Sequence, residues 1–173
     1  MKTEKILSFL KIISWIVFIG YLMTAGSLLI SFVLSFFHPE IASKMYKVNP
    51  DIFVLREKST FVFVCGFSLI IAMVCMFSYF WFLVIKLFDK LNIKNPFSIE
   101  IVRHLEKMAY FLLGIFIVSV IAKGYLEGQL NHLVGVELKL GENNILFMAG
   151  IIYIISQIFK RGIEIQQENE LTV

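Results

Sequence analysis

The chain has 173 residues, of which 58% are hydrophobic and 17% are charged, and its formal net charge is +3. Soluble globular domains are about 45–50% apolar and about 25% charged, so this composition excludes an ordinary soluble domain. The small net charge does not by itself indicate binding to nucleic acid. We therefore expect the chain to lie in a lipid bilayer.

Four uncharged segments predict four transmembrane helices. Residues 12–37 and 61–85 each exceed the roughly 20 residues that cross about 30 Å of hydrocarbon. Residues 108–122 and 145–159 are shorter, each about 22 Å as helix, and span if flanking side chains such as Lys123 reach the headgroups. The predicted fold is an all-α, four-transmembrane-helix bundle that forms one integral membrane domain over residues 1–173, with helices near 10–37, 61–87, 99–126 and 143–164.

The distribution of basic residues predicts the orientation of these helices. Lys and Arg are more numerous before the first helix, between the second and third, and after the fourth than in the other two loops. By the positive-inside rule, both termini, a loop at 88–98 and a tail at 165–173 are then cytoplasmic. The predicted location is the bacterial inner membrane, with the first helix retained and not cleaved as a signal peptide.

Small residues recur at helical spacing in the first two helices. Since small side chains let helices approach closely in lipid, they predict a helix-packing face. This face consists of Gly20, Thr24, Ser27, Ser31, Ser68 and Ala72. A hydrated polar pathway along the hydroxyls of the first helix stays open as an alternative, and it would need a homo-oligomer to enclose it.

No motif in the chain indicates catalysis or metal binding. His38, His104 and His132 lie on different segments without metal-ligand spacing. Cys65 and Cys75 lie about 15 Å apart on one predicted helix, too far for a disulfide, and are typical packing residues. We therefore expect no catalytic residue, no metal and no cofactor, and a protein that is not an enzyme.

The segment NPFSIEIVRHL, residues 95–105, predicts the start of the third helix. Pro96 disfavours helix at the residue before it, Ser98 suits the N-cap, and Glu100 in the first turn interacts favourably with the helix dipole. The third helix is thus expected to begin before the chain enters the lipid.

The final segment FKRGIEIQQENELTV, residues 159–173, is expected to continue the fourth helix and to lie beside the start of the third. Arg103 or Lys107 should then come within reach of Glu164 or Glu168, with Ile163 or Ile165 turned toward Ile101, Leu105 or the bilayer. The predicted cytoplasmic interaction surface comprises Pro96, Phe97, Ser98, Glu100, Arg103, Lys107, Arg161, Gly162, Glu164 and Glu168.

These two segments resemble domain-of-unknown-function family 2975, a family of small bacterial four-span membrane proteins. The first segment matches the family pattern at Pro96, Phe97, Ser98 and Glu100. The tail matches it at Phe159, Lys160, Arg161, Gly162, Glu164, Gln166, Glu170, Leu171, Thr172 and Val173. The chain departs from the pattern at Ile101, where the family often has Asn, and at Ile165, where Leu is usual. The resemblance implies no established activity. Because members are often encoded beside a short helix-turn-helix regulator, it does imply a partner of that kind.

Three interpretations of the function stay open at this point. The leading hypothesis is a non-enzymatic regulatory membrane protein that binds a small cytoplasmic DNA-binding regulator without contacting nucleic acid itself. A second is that the stub of the third helix and the tail only cap the bundle and fix its topology. The third is a small transporter, pore or immunity protein that acts within the bilayer through Thr24, Ser27 and Ser31.

Overall fold

The computed structural model describes residues 2–45, 50–53, 55–56, 59–91, 98–130 and 142–170, and the regular structure within these ranges is helical. The helices are α1 (Lys2–Phe37), α2 (Pro39–Met45), a 3-10 helix (Pro50–Phe53), α3 (Thr60–Lys90), α4 (Ile99–Leu130) and α5 (Glu142–Glu170). Four of these, α1, α3, α4 and α5, are long and apolar enough to cross a membrane. The predicted all-α membrane fold with four spans is confirmed.

Each long helix extends beyond the apolar segment that predicted it. The apolar segments of α1 and α3 are longer than those of α4 and α5, yet all four helices continue into polar sequence. A helix satisfies its own backbone polar groups, so continuing it past the lipid boundary leaves none of them unpaired there. The largest such extension is at the end of α5, where the helix runs about three turns past Phe159 to Glu170.

Only His38 lies between α1 and α2. The last bond of α1 is donated by the His38 amide to the Leu34 carbonyl at 2.7 Å. Pro39 then occupies the first position of α2, where a missing N–H costs nothing.

The structure forms two compact units. The first contains Met1–Phe18, Tyr79–Phe116 and Asn143–Val173, and the second contains Ile19–Ser78 and Ile117–Glu142. The second unit has a hydrophobic core to which four parts of the chain contribute buried side chains. Leu28 comes from α1, Ile52 and Leu55 come from the segment that follows α2, Phe63 and Phe67 come from α3, and Leu126 comes from α4. Phe32 adds its ring at 5.4 Å from the Phe67 ring and 6.3 Å from the Phe63 ring, measured between centroids.

In the same unit, α3 and α4 approach closely at Gly66. A Cβ atom placed on this glycine would lie 2.9 Å from Cδ2 of Leu126 and 3.7 Å from Cδ1 of Leu55. The absent side chain therefore leaves room for Leu126 to enter the core.

One of the four predicted packing residues of α1 is buried within the chain, and three are exposed. Ser31 is buried, with 1% of its surface exposed, whereas Gly20, Thr24 and Ser27 are exposed. Thr24 donates to the Gly20 carbonyl at 2.9 Å and Ser27 donates to the Thr24 carbonyl at 2.8 Å. Because these hydroxyls are satisfied by their own helix, they need no partner on another helix.

On α3, the predicted packing residues Ser68 and Ala72 are both exposed. Ser68 likewise donates back to its own helix, at 2.8 Å to the Cys65 carbonyl. Leucine, isoleucine and phenylalanine side chains form the core of this unit, whereas the predicted packing residues other than Ser31 are exposed on the same helices. Spacing alone identified a face of each helix but did not show which face is buried.

Candidate functional site

In the first unit, a buried histidine joins the end of α3 to the start of α4. His104 is 8% exposed, and its Nε2 lies 2.8 Å from the carbonyl oxygen of Leu83. Since a carbonyl oxygen only accepts, Nε2 carries the proton and donates it. This hydrogen bond holds the start of α4 against the end of α3. The position of His104 in the sequence, far from the other two histidines, did not indicate this role. A signal for it existed, because His104 shares a helical face with the apolar positions Ile101 and Met108.

The start of α4 has the predicted N-cap. The backbone amide of Ile101 lies 3.3 Å from Oγ of Ser98, and the amide of Val102 donates to the Ser98 carbonyl at 3.2 Å. Both capped residues are buried, with 1% of their surface exposed. The cap therefore sets the position of the charged residues that follow on the outer side of this first turn.

Between these two helix ends lies a cavity of about 420 Å³, which we call the basic cavity. Its lining combines four cationic side chains, one carboxylate, the buried histidine and two apolar or aromatic groups: Lys86, Lys90, Arg103, Lys107, Glu100, His104, Tyr79 and Leu83. Three members of the predicted interaction surface, Glu100, Arg103 and Lys107, are thus brought together here. The sequence did not predict that the end of α3 would complete the cavity with Lys86 and Lys90.

Aromatic rings hold two of these ammonium groups in place. Lys86 Nζ lies 4.6 Å from the centre of the Phe82 ring, and Lys107 Nζ lies 5.8 Å from the centre of the Tyr79 ring. Tyr79 is itself packed edge-on against Phe111, with ring centres 5.0 Å apart. A cation over an aromatic face is attracted without losing its charge or its N–H donors. Both lysines therefore stay able to bind an anion.

The start of α1 is attached to the same end of α3. Lys11 forms an ion pair with Asp89, and both side chains are about half exposed. Deeper in the unit, the rings of Phe18 and Phe82 lie 5.9 Å apart. An exposed ion pair contributes only about 0–1 kcal/mol, so the aromatic contact is the stronger link.

Two contacts define the register between α4 and α5. Gln157 donates to Glu106 at 3.3 Å, and the rings of Tyr110 and Tyr153 lie 6.1 Å apart. As residue numbers rise on α4 they fall on α5, so the helices are antiparallel. The residues after Gln157 accordingly lie at the level of the first turns of α4, as the sequence predicted for the tail.

The charges of the tail are paired differently from the prediction. Glu164 accepts from Arg161 on its own helix at 2.7 Å, while Lys107 lies over Tyr79. Continuing the register set by Gln157 and Glu106 places Glu164 level with the first residue of α4. Arg103 lies about one turn, roughly 5 Å, further along. Arg161 at i−3 is closer to that carboxylate than any cation of α4 is expected to be.

The side chains of the tail differ in exposure. Gly162 and Ile163 are half-buried, whereas Ile165 is 47% exposed and Glu168 is exposed. The remaining members of the predicted surface, Pro96 and Phe97, lie outside the described residues. Among the residues that the structure describes, no group of three or more His, Cys, Asp or Glu side chains could hold a metal ion.

The fold and this site define a multi-pass α-helical membrane protein with a cluster of cations at one end of α3 and α4. The family model described as a protein of unknown function (DUF2975) matches residues 34–173, and the chain belongs to this family. The resemblance found in the two sequence segments is thereby confirmed. No curated protein and no solved structure matches the chain.

Proposed function

We propose that the protein is a non-enzymatic regulatory protein of the bacterial inner membrane. In this proposal, the end that carries the basic cavity faces the cytoplasm and binds a small soluble helix-turn-helix regulator. The observation that carries the proposal is the helical extension of α5, which continues past the apolar segment to Glu170 with mostly exposed side chains.

The extension has the character of a helix that a soluble partner binds. It is polar, and Ile165 places one large apolar side chain, 47% exposed, between glutamate and glutamine residues. Helical segments are commonly recognised when such an apolar side chain enters a groove on the partner. The Arg161–Glu164 pair stabilises the same turn of helix, so the surface is preorganised before binding.

The start of α4 supplies the second part of the proposed surface. The antiparallel register places the extension beside Ser98 and Arg103. Glu100, Arg103 and Lys107 are exposed there, while the intervening residues of the helix are buried except for Glu106, which is half-buried. A partner that contacts the extension would thus meet charges of both signs on the adjacent helix.

Co-purification of the full-length protein with the regulator encoded beside its gene tests this proposal. We expect Ile165→Glu to lower recovery of the regulator at least tenfold. The matched control Gln167→Glu, which adds the same charge to another face of the same turn, should keep it. A chain lacking residues 163–173 should recover none. Equal recovery by the full-length and shortened chains, or recovery by neither, would contradict the proposal.

The outward position of the small-residue face supports a second candidate function. Gly20 has nothing within 4 Å of where its Cβ would be, and Thr24 and Ser27 are exposed beside it. In a homo-oligomer this face could meet its equivalent on another copy and line a polar pathway through the bilayer. Solute flux in proteoliposomes that Ser27→Leu abolishes would favour this small transporter or pore over the regulatory protein.

A further inference from the structure

We propose that the basic cavity is a binding site for a phosphate group, and in particular for the headgroup of an anionic phospholipid. This inference goes beyond the proposed regulatory function and does not depend on it. The lining of the cavity is rich in positive charge: four cationic side chains and one carboxylate lie between the end of α3 and the start of α4.

The size of the cavity suits a headgroup. At about 420 Å³ it falls within the range of about 300–1,000 Å³ that is typical of small-ligand sites. Tyr79 and Leu83 give part of the wall an apolar character. A ligand that carries both a phosphate and hydrocarbon would be matched by both parts of this lining.

The position of the cavity along the helices favours a lipid as the source of the phosphate. Lys86 is the first charged residue after the apolar segment of α3, and Lys107 is the last one before the apolar segment of α4. Charged residues at such boundaries lie at the depth of the headgroups. Basic pockets between transmembrane helices at this depth are typical binding sites for the headgroups of anionic lipids.

The cations of the cavity keep their charge and stay available to bind an anion. Lys86 and Lys107 are held over the rings of Phe82 and Tyr79, which keeps like charges apart without neutralising them. Arg103 is exposed and lines the same cavity, and its planar guanidinium can bind two phosphate oxygens at once. His104 points its proton at Leu83 and so acts as a fixed wall of the site.

Glu100 gives the site a further property. Among the described residues of the lining it supplies the one carboxylate, which repels a second negative charge and can accept a hydrogen bond from a hydroxyl. The site therefore suits a singly charged phosphodiester with hydroxyl donors better than a multiply charged phosphate. Removing the Glu100 charge should strengthen the binding of inorganic phosphate more than that of a phosphodiester.

Titration calorimetry on the purified full-length protein in neutral detergent tests the inference. The probes are short-chain phosphatidylglycerol, short-chain phosphatidylcholine and inorganic phosphate. We expect saturable binding of phosphatidylglycerol. Arg103→Gln and Lys107→Gln should each weaken this binding about tenfold, since each removes a hydrogen bond to a charged group. Lys160→Gln, which removes an exposed cation of α5 outside the cavity, should leave it unchanged.

The comparison between probes identifies the source of the phosphate. Tighter binding of phosphatidylglycerol than of inorganic phosphate supports the lipid, whereas equal or tighter binding of inorganic phosphate supports a soluble ligand of the same chemistry and overturns the lipid assignment. Saturable binding of none of the probes would overturn the site itself. So would an equal loss in Lys160→Gln and Arg103→Gln, because it would show a general effect of charge. Helical content measured by circular dichroism identifies any variant that fails to fold, and the two cavity variants report independently.

Discussion

Gly66 offers a direct test of how α3 packs against α4. A Cβ at this position would lie 2.9 Å from Cδ2 of Leu126, and Leu126 is 1% exposed among Leu55 and Phe67. Because this leucine has little room to turn away, Gly66→Ala forces the core to shift, which typically costs about 1–3 kcal/mol. Gly150→Ala is the matched control, since nothing lies within 4 Å of its added Cβ.

Apparent melting temperatures of the purified variants in detergent measure the difference. We expect Gly66→Ala to melt several degrees below Gly150→Ala, at about 2–4 °C per kcal/mol for a chain of this size. A double-mutant cycle assigns the cause. Leu126→Ala alone should cost about 2–5 kcal/mol, but in that background Gly66→Ala should cost nothing, giving a coupling of about 1–3 kcal/mol. Equal melting of the two glycine variants, or a coupling of zero, would refute the close approach.

Four further substitutions test other parts of the structure through the same melting measurement. Ser98→Ala removes the side-chain cap that accepts from Ile101 and should lower stability by about 1 kcal/mol; no loss would show that the backbone bonds alone start α4. Ser31→Leu enlarges a buried side chain and should cost about 1–3 kcal/mol. Thr24→Leu enlarges an exposed side chain and should change stability by less than about 0.5 kcal/mol. A larger loss of stability in Thr24→Leu than in Ser31→Leu would instead support the predicted packing face. Arg56→Met removes a buried Nη1 that bonds to no described residue and should leave stability unchanged or raise it, whereas a loss would show that this guanidinium has a partner.

The fold could be predicted from the sequence because its signals are local. The uncharged segments determined the four spans, and Ser98 marked the start of α4 through its side-chain cap. The side of α1 that is buried was not predictable from spacing, because small and bulky residues alternate around this helix. In the second unit the buried residues of α1 are Ala25, Leu28, Ser31 and Ser35, so small side chains occur on both sides of the helix, and only the packing against Phe63 and Phe67 shows which side is inside.

The candidate site was predictable only in part, for a similar reason. The charges at the start of α4 were visible as a cluster in the sequence, but Lys86 and Lys90 belong to another helix and join them only through the fold. The tail was correctly placed beside α4, since helices joined by a short loop run antiparallel. Within the tail, Glu164 accepts a hydrogen bond from Arg161 three residues earlier on the same helix, a pairing that the sequence prediction did not include.

The unequal apolar lengths of the spans have a consequence for the membrane around them. As helix, the apolar segment of α3 is about 37 Å long and that of α5 is about 22 Å long, whereas the hydrocarbon layer is about 30 Å thick. No single bilayer thickness matches both, so α3 relieves its excess by tilting and α5 by drawing the lipid surface toward its polar ends. A thicker bilayer lowers the mismatch of α3 and raises that of α5, and a thinner bilayer does the reverse. The balance of strain between these two helices therefore changes with the lipid composition of the membrane.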